Sequence, residues 1–393
     1  MKLLVPIAGH FVRGSDGEVY TGGPHRYSFW TRYLAVFDEV LILSRVRPVD
    51  HIDTDWARVT GRSASVCDLP DHVGPWQYLA NRSKLRTITA TAVSSADAFL
   101  LRSGGGAVPM LAWKEIRRRR CPYAVEVTGD PWAGLAPGTM KTWFRPIGRR
   151  LYTQNLVRQC RHATAVSYVT QGALQQRYPA APGAFTTNYS SVDMPPECYV
   201  DRPRTFSPGP RELVHVGSLQ HFYKAPDILV RALAACAHRG LQFRLKILGD
   251  GQRRGDLEDL IRSVGIEDRV ELLGHVADRR IVLEQLDEAD LFVLPSRMEG
   301  LPRAMIEAMG RALPCIGSTA GGMPELLPGE DLVPPGDADA LRDKIIEVLG
   351  DPERMSNMSA RNLRVASDYR SDVLAPRRRA MYMHLRAVST DAM

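Results

Sequence analysis

No run of eighteen apolar residues occurs in the 393-residue chain, so no membrane-spanning helix is expected. The opening "MKLLVPIAGH" is too short in its apolar part, and lacks the cleavage signature, for an export signal, so a cytoplasmic location is expected. The six cysteines (Cys67, Cys121, Cys160, Cys198, Cys236 and Cys315) are scattered without a Cys-x-x-Cys pair or metal-ligand spacing, which argues against a disulfide framework and a zinc site. No internal repeat and no low-complexity tract is seen, and no Asp-x-Asp element stands where it could hold a divalent ion. What remains is an ordinary globular composition, 44% hydrophobic and 24% charged, on a chain long enough for two domains.

The net charge of +7 is unevenly placed. Residues 1–200 hold 24 Lys+Arg against 15 Asp+Glu, and residues 101–161 alone hold 12 against 3, which accounts for the whole excess. That segment includes Lys114, Arg117 to Arg120, Lys141, Arg145, Arg149, Arg150, Arg158 and Arg161, interleaved with Trp113, Trp143 and Phe144. A basic face beside aromatic residues can attract an anionic membrane surface or a phosphorylated acceptor, and equally can be a solvated helix surface. Nucleic acid is not expected as a partner.

Strand-like apolar runs alternate with helical patterns through most of the chain. "KLLVPIAG" is followed by a long polar loop and a helix from about His25; "EVLILS" follows, and after an ill-defined stretch come "AFLLRS", "YAVEVTG" and "ATAVSYV". Prolines then crowd together at Pro195, Pro196, Pro203, Pro208 and Pro210, as in an interdomain linker. A second series runs through "RELVHVGS", "FRLKILG", "RVELLG", "ADLFVLPS" and "LPCIGST" and ends in helices. The pattern predicts an α/β protein with two doubly wound parallel sheets: residues 1–195, a linker over 196–211, a second domain over 212–365, and a last stretch, 366–393, returning to brace the first.

In such sheets ligands bind at the carboxyl ends of the strands. One of those turns reads "SRMEGLPRAMIEAMGRALPCIGSTAGGMPELL". Glu299 lies in the loop, Pro302 suits a first helical position, and the N–H groups of Gly300, Leu301 and Arg303 would face a cleft with a positive helix end behind them, which is an anion site. Carboxylates on either side of it, Glu299 and Glu307, would accept hydrogen bonds from hydroxyls. A diphosphate flanked by hydroxyl-bearing rings, a nucleotide sugar, fits that arrangement. Glu307 could instead be a surface ion-pair residue, with Arg303 and Arg311 four positions away on either side.

"EGLPRAMIEAMGRALPCIGSTAGGMPEL" resembles the Glu-x7-Glu signature of glycosyltransferase family 4, and the resemblance extends to "LVHVGSLQHFYKAPDILVRAL", "LKILGDGQRRGDLEDLI", "VELLGHV" and, more weakly, "YTGGPHRYSFWTRYLA". It implies the GT-B architecture, two facing Rossmann-like domains, and a retaining transfer from a UDP- or GDP-sugar to a hydroxyl acceptor, lipid-linked or phosphorylated among the options. With no Asp-x-Asp element in position, and a lysine plus a helix end able to replace a divalent ion, metal independence is expected, and no cofactor. The resemblance implies donor contacts at Gly22 and Gly23, at Gly217, Ser218 and Lys224, at Gly249, at His275 and Val276 near the base, and at Glu299, Gly300, Leu301, Pro302, Arg303 and Glu307. Lys224 and Glu299 would be catalytic. The family usually has Arg where Ser218 stands, and many members carry an acceptor-side histidine where "PYAVEVTGDPW" offers only Asp130, which becomes the acceptor-side candidate.

Two other readings stay open. "ILGDGQRRG" places Gly249-x-Gly251 after a strand and imitates a dinucleotide fingerprint, but Arg254 stands where the third glycine belongs, which weakens an NAD-dependent oxidoreductase. A nonenzymatic nucleotide or carbohydrate binder could share the fold.

Overall fold

The computed structural model describes residues 1–54, 56–102, 106–135, 145–209 and 211–392. Among them fifteen strands form two sheets. The first contains β1 (Lys2–Arg13), β2 (Val19–Thr21), β3 (Glu39–Pro48), β4 (Ala57–Arg58), β5 (Ala64–Pro70), β6 (Ala98–Arg102), β7 (Ala124–Val127), β8 (Ala165–Tyr168) and β9 (Phe185–Asn188). Its parallel part runs β5-β3-β1-β6-β7-β8-β9, and β2 and β4 form an antiparallel ribbon on the far end of β1. The second contains β10 (Arg211–Val216), β11 (Phe243–Leu248), β12 (Val270–Gly274), β13 (Leu291–Leu294), β14 (Cys315–Ser318) and β15 (Leu332–Val333), in the order β12-β11-β10-β13-β14-β15, all parallel. The central strands read as continuous apolar runs because helices cover both faces: every residue of β7, β8, β13 and β14 is buried.

Each sheet reverses its winding once, between β1 and β6 in the first and between β10 and β13 in the second. These are the two places where the chain leaves a crevice at the carboxyl edge of the sheet. At the first, β1 breaks register with β3 between Pro6 and His10, so Ile7 to Gly9 bulge toward the crevice.

The expected long polar loop after the first strand is instead the β1–β2 hairpin, and the helix begins at Tyr27 rather than near His25. The ill-defined stretch holds β4, β5 and the helices Gly74–Ala80 and Arg82–Ser94; β5 escaped notice because Asp68 and Pro70 interrupt its apolar pattern at a sheet edge. β9 and β15 were also not foreseen, one polar and the other two residues long. The proline-rich stretch is tied down: Arg204 donates to the carbonyls of Leu286, Asp287, Ala289 and Arg311 at 2.8–3.1 Å, closing the segment onto the second domain.

The helix Pro352–Ser367 belongs to the second domain, and after a short break the helix Ser371–Thr390 packs on β9, β8 and β6 of the first. Tyr382 on that helix joins a buried cluster in which Glu126 of β7 accepts from Tyr33 (3.1 Å), Arg102 (3.0 Å), Tyr189 and Tyr382 (2.8 Å each). Burial alone would raise the Glu126 pKa, but Arg102 and the hydroxyls of Tyr189 and Tyr382 bring it below the usual carboxylate value.

Candidate active site

The second switch point gathers residues from two crossovers. After β10 the chain turns through Gly217 and Ser218 into the 3₁₀ turn Phe222–Lys224 and the helix Pro226–His238. After β13 it passes Ser296 and Glu299 into the helix Arg303–Gly310. Across the crevice the Lys224 Nζ donates to both oxygens of Glu299, at 2.6 and 2.9 Å, and Ser296 Oγ donates to the same carboxylate at 2.6 Å. Glu299 is only 6% exposed, while the lysine keeps a quarter of its side-chain surface open, so the pair is buried on the acid side and open on the amine side. An ammonium has three protons, so one is left to meet a ligand.

The surrounding backbone is shaped by close contacts. A Cβ on Gly217 would lie 2.7 Å from Lys224 Cγ, so a side chain there would displace the lysine stem. A Cβ on Gly249 would meet the Gly217 carbonyl oxygen at 1.9 Å, and Leu219 N–H donates to the Asp250 carbonyl at 2.9 Å. The glycines of the dinucleotide-like stretch thus let two loops zip together. Gly300 abuts the first domain: a Cβ there would be 2.9 Å from the Thr128 carbonyl oxygen. Gly321, at φ +57°, lies under the Glu299 backbone, where a Cβ would sit 2.1 Å from the Glu299 carbonyl oxygen.

Pro302 is the N-cap residue and Arg303 opens the helix, with Leu301 buried behind it. Glu307 is partly buried one turn in. Removal from water raises its pKa, opposed by the charges of Arg303 and Arg279. Of the two arginines in the surface ion-pair reading of Glu307, Arg311 is engaged by Asp287 at 2.7 and 2.5 Å, while the Arg303 charge still acts on Glu307. His275 is exposed and Val276 partly buried just past β12, whose Gly274 carbonyl accepts from Gly249 N–H at 2.8 Å. Ser218 is exposed and its Oγ accepts from Gln220 N–H at 3.2 Å.

Residues of the first domain are not all drawn to this pair. Asp130 caps the helix Pro131–Gly134: one oxygen accepts from Trp132 N–H at 2.9 Å and Tyr178 Oη–H at 2.5 Å, and the other is held by Arg177. That engagement gives Asp130 a structural task at the end of β7. Gly22 and Gly23 lie against Trp56 and Thr21, and the crevice of the first domain is lined instead by Ile7 to Gly9, Pro24 and His25. Lys141, Trp143 and Phe144 lie outside the described residues. Trp113 donates to Tyr123 Oη at 2.9 Å and is partly buried.

Three supporting residues escaped the sequence reading. Arg297 makes a two-point ion pair with Asp227 (2.7 Å twice) and donates to the carbonyls of Phe222 (2.9 Å, side chain) and Tyr223 (2.7 Å, backbone). It therefore clamps the Lys224 turn to the Glu299 loop. His215, fully buried in β10, donates from Nδ1 to the Val293 carbonyl at 2.9 Å, since a carbonyl can only accept, and its Nε2 has no partner among the described residues. Burial, helped by the Lys224 charge, pushes its pKa down to about 4. Only the motif-adjacent position of Arg297 could have been a signal; the other contacts span some 70 residues or more.

The family described as "Glycosyl transferases group 1" matches residues 210–351, the domain that holds this site. The chain carries a group 1, family 4-like glycosyltransferase domain. Protein CapJ of Staphylococcus aureus is 25% identical to it over 317 residues, 79% of this chain and 77% of CapJ. The putative colanic acid biosynthesis glycosyltransferase WcaL of Escherichia coli (strain K12) is 34% identical over 145 residues, 35% of each chain. Among solved structures, Anabaena Alr3699/HepE in complex with UDP-glucose superposes with a TM-score of 0.65 at 18% identity, covering all of both chains. The fold of this transferase is GT-B, with the sheet of each domain presenting its switch point to the interdomain cleft. Among the described residues no helix is long and apolar enough to cross a membrane.

Proposed function

We propose that this glycosyltransferase moves a sugar from a nucleoside-diphosphate sugar to a hydroxyl acceptor, with retention and without a metal ion, and that it serves the assembly of a polysaccharide or related glycan. The observation that carries the reading is the Lys224–Glu299 pair at the mouth of the helix Arg303–Gly310. The third ammonium proton and the first-turn amides would receive the charge that gathers on the departing diphosphate, which lowers the barrier without covalent work by the protein. Glu299, held by Ser296 as well as Lys224, would orient the sugar hydroxyls, and Glu307 the ribose. The acceptor oxygen would attack the face the diphosphate leaves, passing its proton to a diphosphate oxygen. HepE crystallised with UDP-glucose and the glycan-assembly name of WcaL support this choice of donor and setting.

Calorimetric titration with UDP and GDP tests the donor: one of them should bind, and binding of neither would sink the reading, while NAD(H) alone binding would promote the oxidoreductase. Proton NMR of the sugar first released when water is the acceptor should show the donor's own anomer; the opposite anomer would end the retention proposal. Activity should survive excess chelator, and restoration only by magnesium or manganese would overturn metal independence.

We also propose that the basic segment 101–161 lets the first domain dock on an anionic membrane. Ile147 and Leu151, exposed by 53% and 46% beside Arg145, Arg149 and Arg150, support it. Sedimentation with anionic and neutral vesicles decides: equal binding to both counts against docking.

A further inference from the structure

The first domain's switch point opens into a cleft of about 500 Å³ that shares only Arg303 with the proposed donor contacts among the described residues. Among the described residues four arginines line it, Arg32 and Arg102 from the first domain and Arg279 and Arg303 from the second, against a single carboxylate, Asp193. Arg102 is committed on one side to Glu126 and Tyr33, at 3.0 and 3.3 Å. It shares the ring of Phe29 with Arg32, the two guanidinium carbons standing 4.5 and 4.2 Å from its centroid, so the aromatic face fixes both cations. Among the described residues, Arg32, Arg279 and Arg303 form no direct ion pair, although Arg32 feels the charge of Glu126, and Arg279 and Arg303 that of Glu307. His25, on the same wall, is held neutral: burial, then the charges of Arg102, Arg32 and Arg303, push its pKa down to about 4. Glu126 offsets Arg102, and Arg279 and Arg303 are exposed to solvent, so the cleft between the domains presents a net positive wall, with Arg32 half-buried at its centre, that an arriving counter-charge would complement.

We propose that the acceptor carries an oxyanion, a carboxylate or a phosphate, which Arg32 and Arg102 grip from the first domain while Arg279 and Arg303 close over it from the second. The proposal rests on the glycosyltransferase reading and names its acceptor class. Lys224 and Glu299 do not line this cleft, and Arg303, which opens the donor helix, borders both sites. Planar guanidinium forks suit two-point binding of either oxyanion, and neutral His25 can donate to or accept from a neighbouring hydroxyl.

The test uses the whole protein saturated with whichever of UDP or GDP binds, so that the donor site is filled. Ligand-observed NMR compares methyl glucoside with methyl glucuronide in one arm and with glucose 6-phosphate in the other. At least one charged sugar should bind about 10-fold or more tightly than the neutral one, as charge-assisted bonds to arginine require, and the arm that responds says which oxyanion is recognised. Arg32→Gln should abolish that preference, Arg32→Lys should retain part of it, and nucleotide affinity should stay unchanged in both; Arg102 is left intact because it also anchors Glu126. Equal binding of charged and neutral sugars would overturn the proposal. So would loss of nucleotide affinity in folded Arg32→Gln, which would make the cleft an extension of the donor site. Failure of both nucleotides to bind would strike the donor reading instead, and the comparison of charged with neutral sugars can then be made on the free protein.

Discussion

Lys224 is the side chain on which most of the proposed chemistry turns. Two of its protons hold Glu299, so removing it strips charge from the leaving-group side and leaves a buried carboxylate supported by Ser296 alone. Lys224→Ala should lower kcat/KM by about 100-fold or more, and turnover near wild type in a steady-state assay would remove it from the mechanism. For Glu307→Ala, calorimetry should show weaker nucleotide binding with an unchanged melting temperature; unaltered affinity would return Glu307 to a surface role. His215 makes a pH prediction. Its folded pKa of about 4 lies below the ordinary 6.5, so between these values the unfolded chain binds a proton that the folded chain refuses. Stability is therefore fully present above pH 6.5 and falls toward pH 4, by up to ~1.4 kcal/mol per unit from this group. His215→Asn, whose amide can still donate to Val293, should flatten the urea-midpoint curve over that window; an identical slope would show that other groups set it.

The elements around the site work as a pair of clamped loops. Arg297 with Asp227 fastens the 3₁₀ turn that carries Lys224, and Gly321 lets the turn after β14 slide beneath Glu299. Gly321→Ala would need left-handed backbone for alanine and would drive its Cβ into the Glu299 carbonyl, so the loop must move. A loss of about 1–3 kcal/mol in stability is expected, and a larger proportional loss in kcat than in KM. If kinetics are preserved while stability falls, the Glu299 loop is not held in place from below.

The whole molecule depends on contacts between the two domains. Glu325 of the second domain accepts from three successive amides of the first, Gln171 (2.5 Å), Gly172 (3.0 Å) and Ala173 (2.9 Å), at the start of the helix Ala173–Arg177. Such charge-assisted bonds contribute roughly 1.5–3 kcal/mol each at most, and they favour the arrangement in which Gly300 meets Thr128. Glu325→Ala should shift the ligand-free protein toward an open form, read as a larger radius of gyration by small-angle X-ray scattering, with nucleotide restoring part of the compaction. No change in radius would mean that the other contacts suffice.

Much of this was legible in the residues alone. Parallel strands buried on both faces must be continuous apolar runs, so β1, β3, β6, β7, β8, β10, β11, β13 and β14 stand out, whereas edge strands such as β5, β9 and β15 bury one face at most and leave little pattern; β12 is the edge strand whose Leu272 and Leu273 still made it legible. The Glu-x7-Glu stretch was visible because strand, turn and helix follow one another within thirty residues, and local chemistry suffices to read them. What the sequence could not convey is which distant groups converge: that Lys224 meets Glu299 seventy-five positions away, that Asp130 is spent on Tyr178 and Arg177, and that Arg32, Arg102, Arg279 and Arg303 share one cleft. Local order is set by propensity and periodicity along the chain. Charge convergence is set by the order in which strands wind about their switch points, and only the folded chain fixes that.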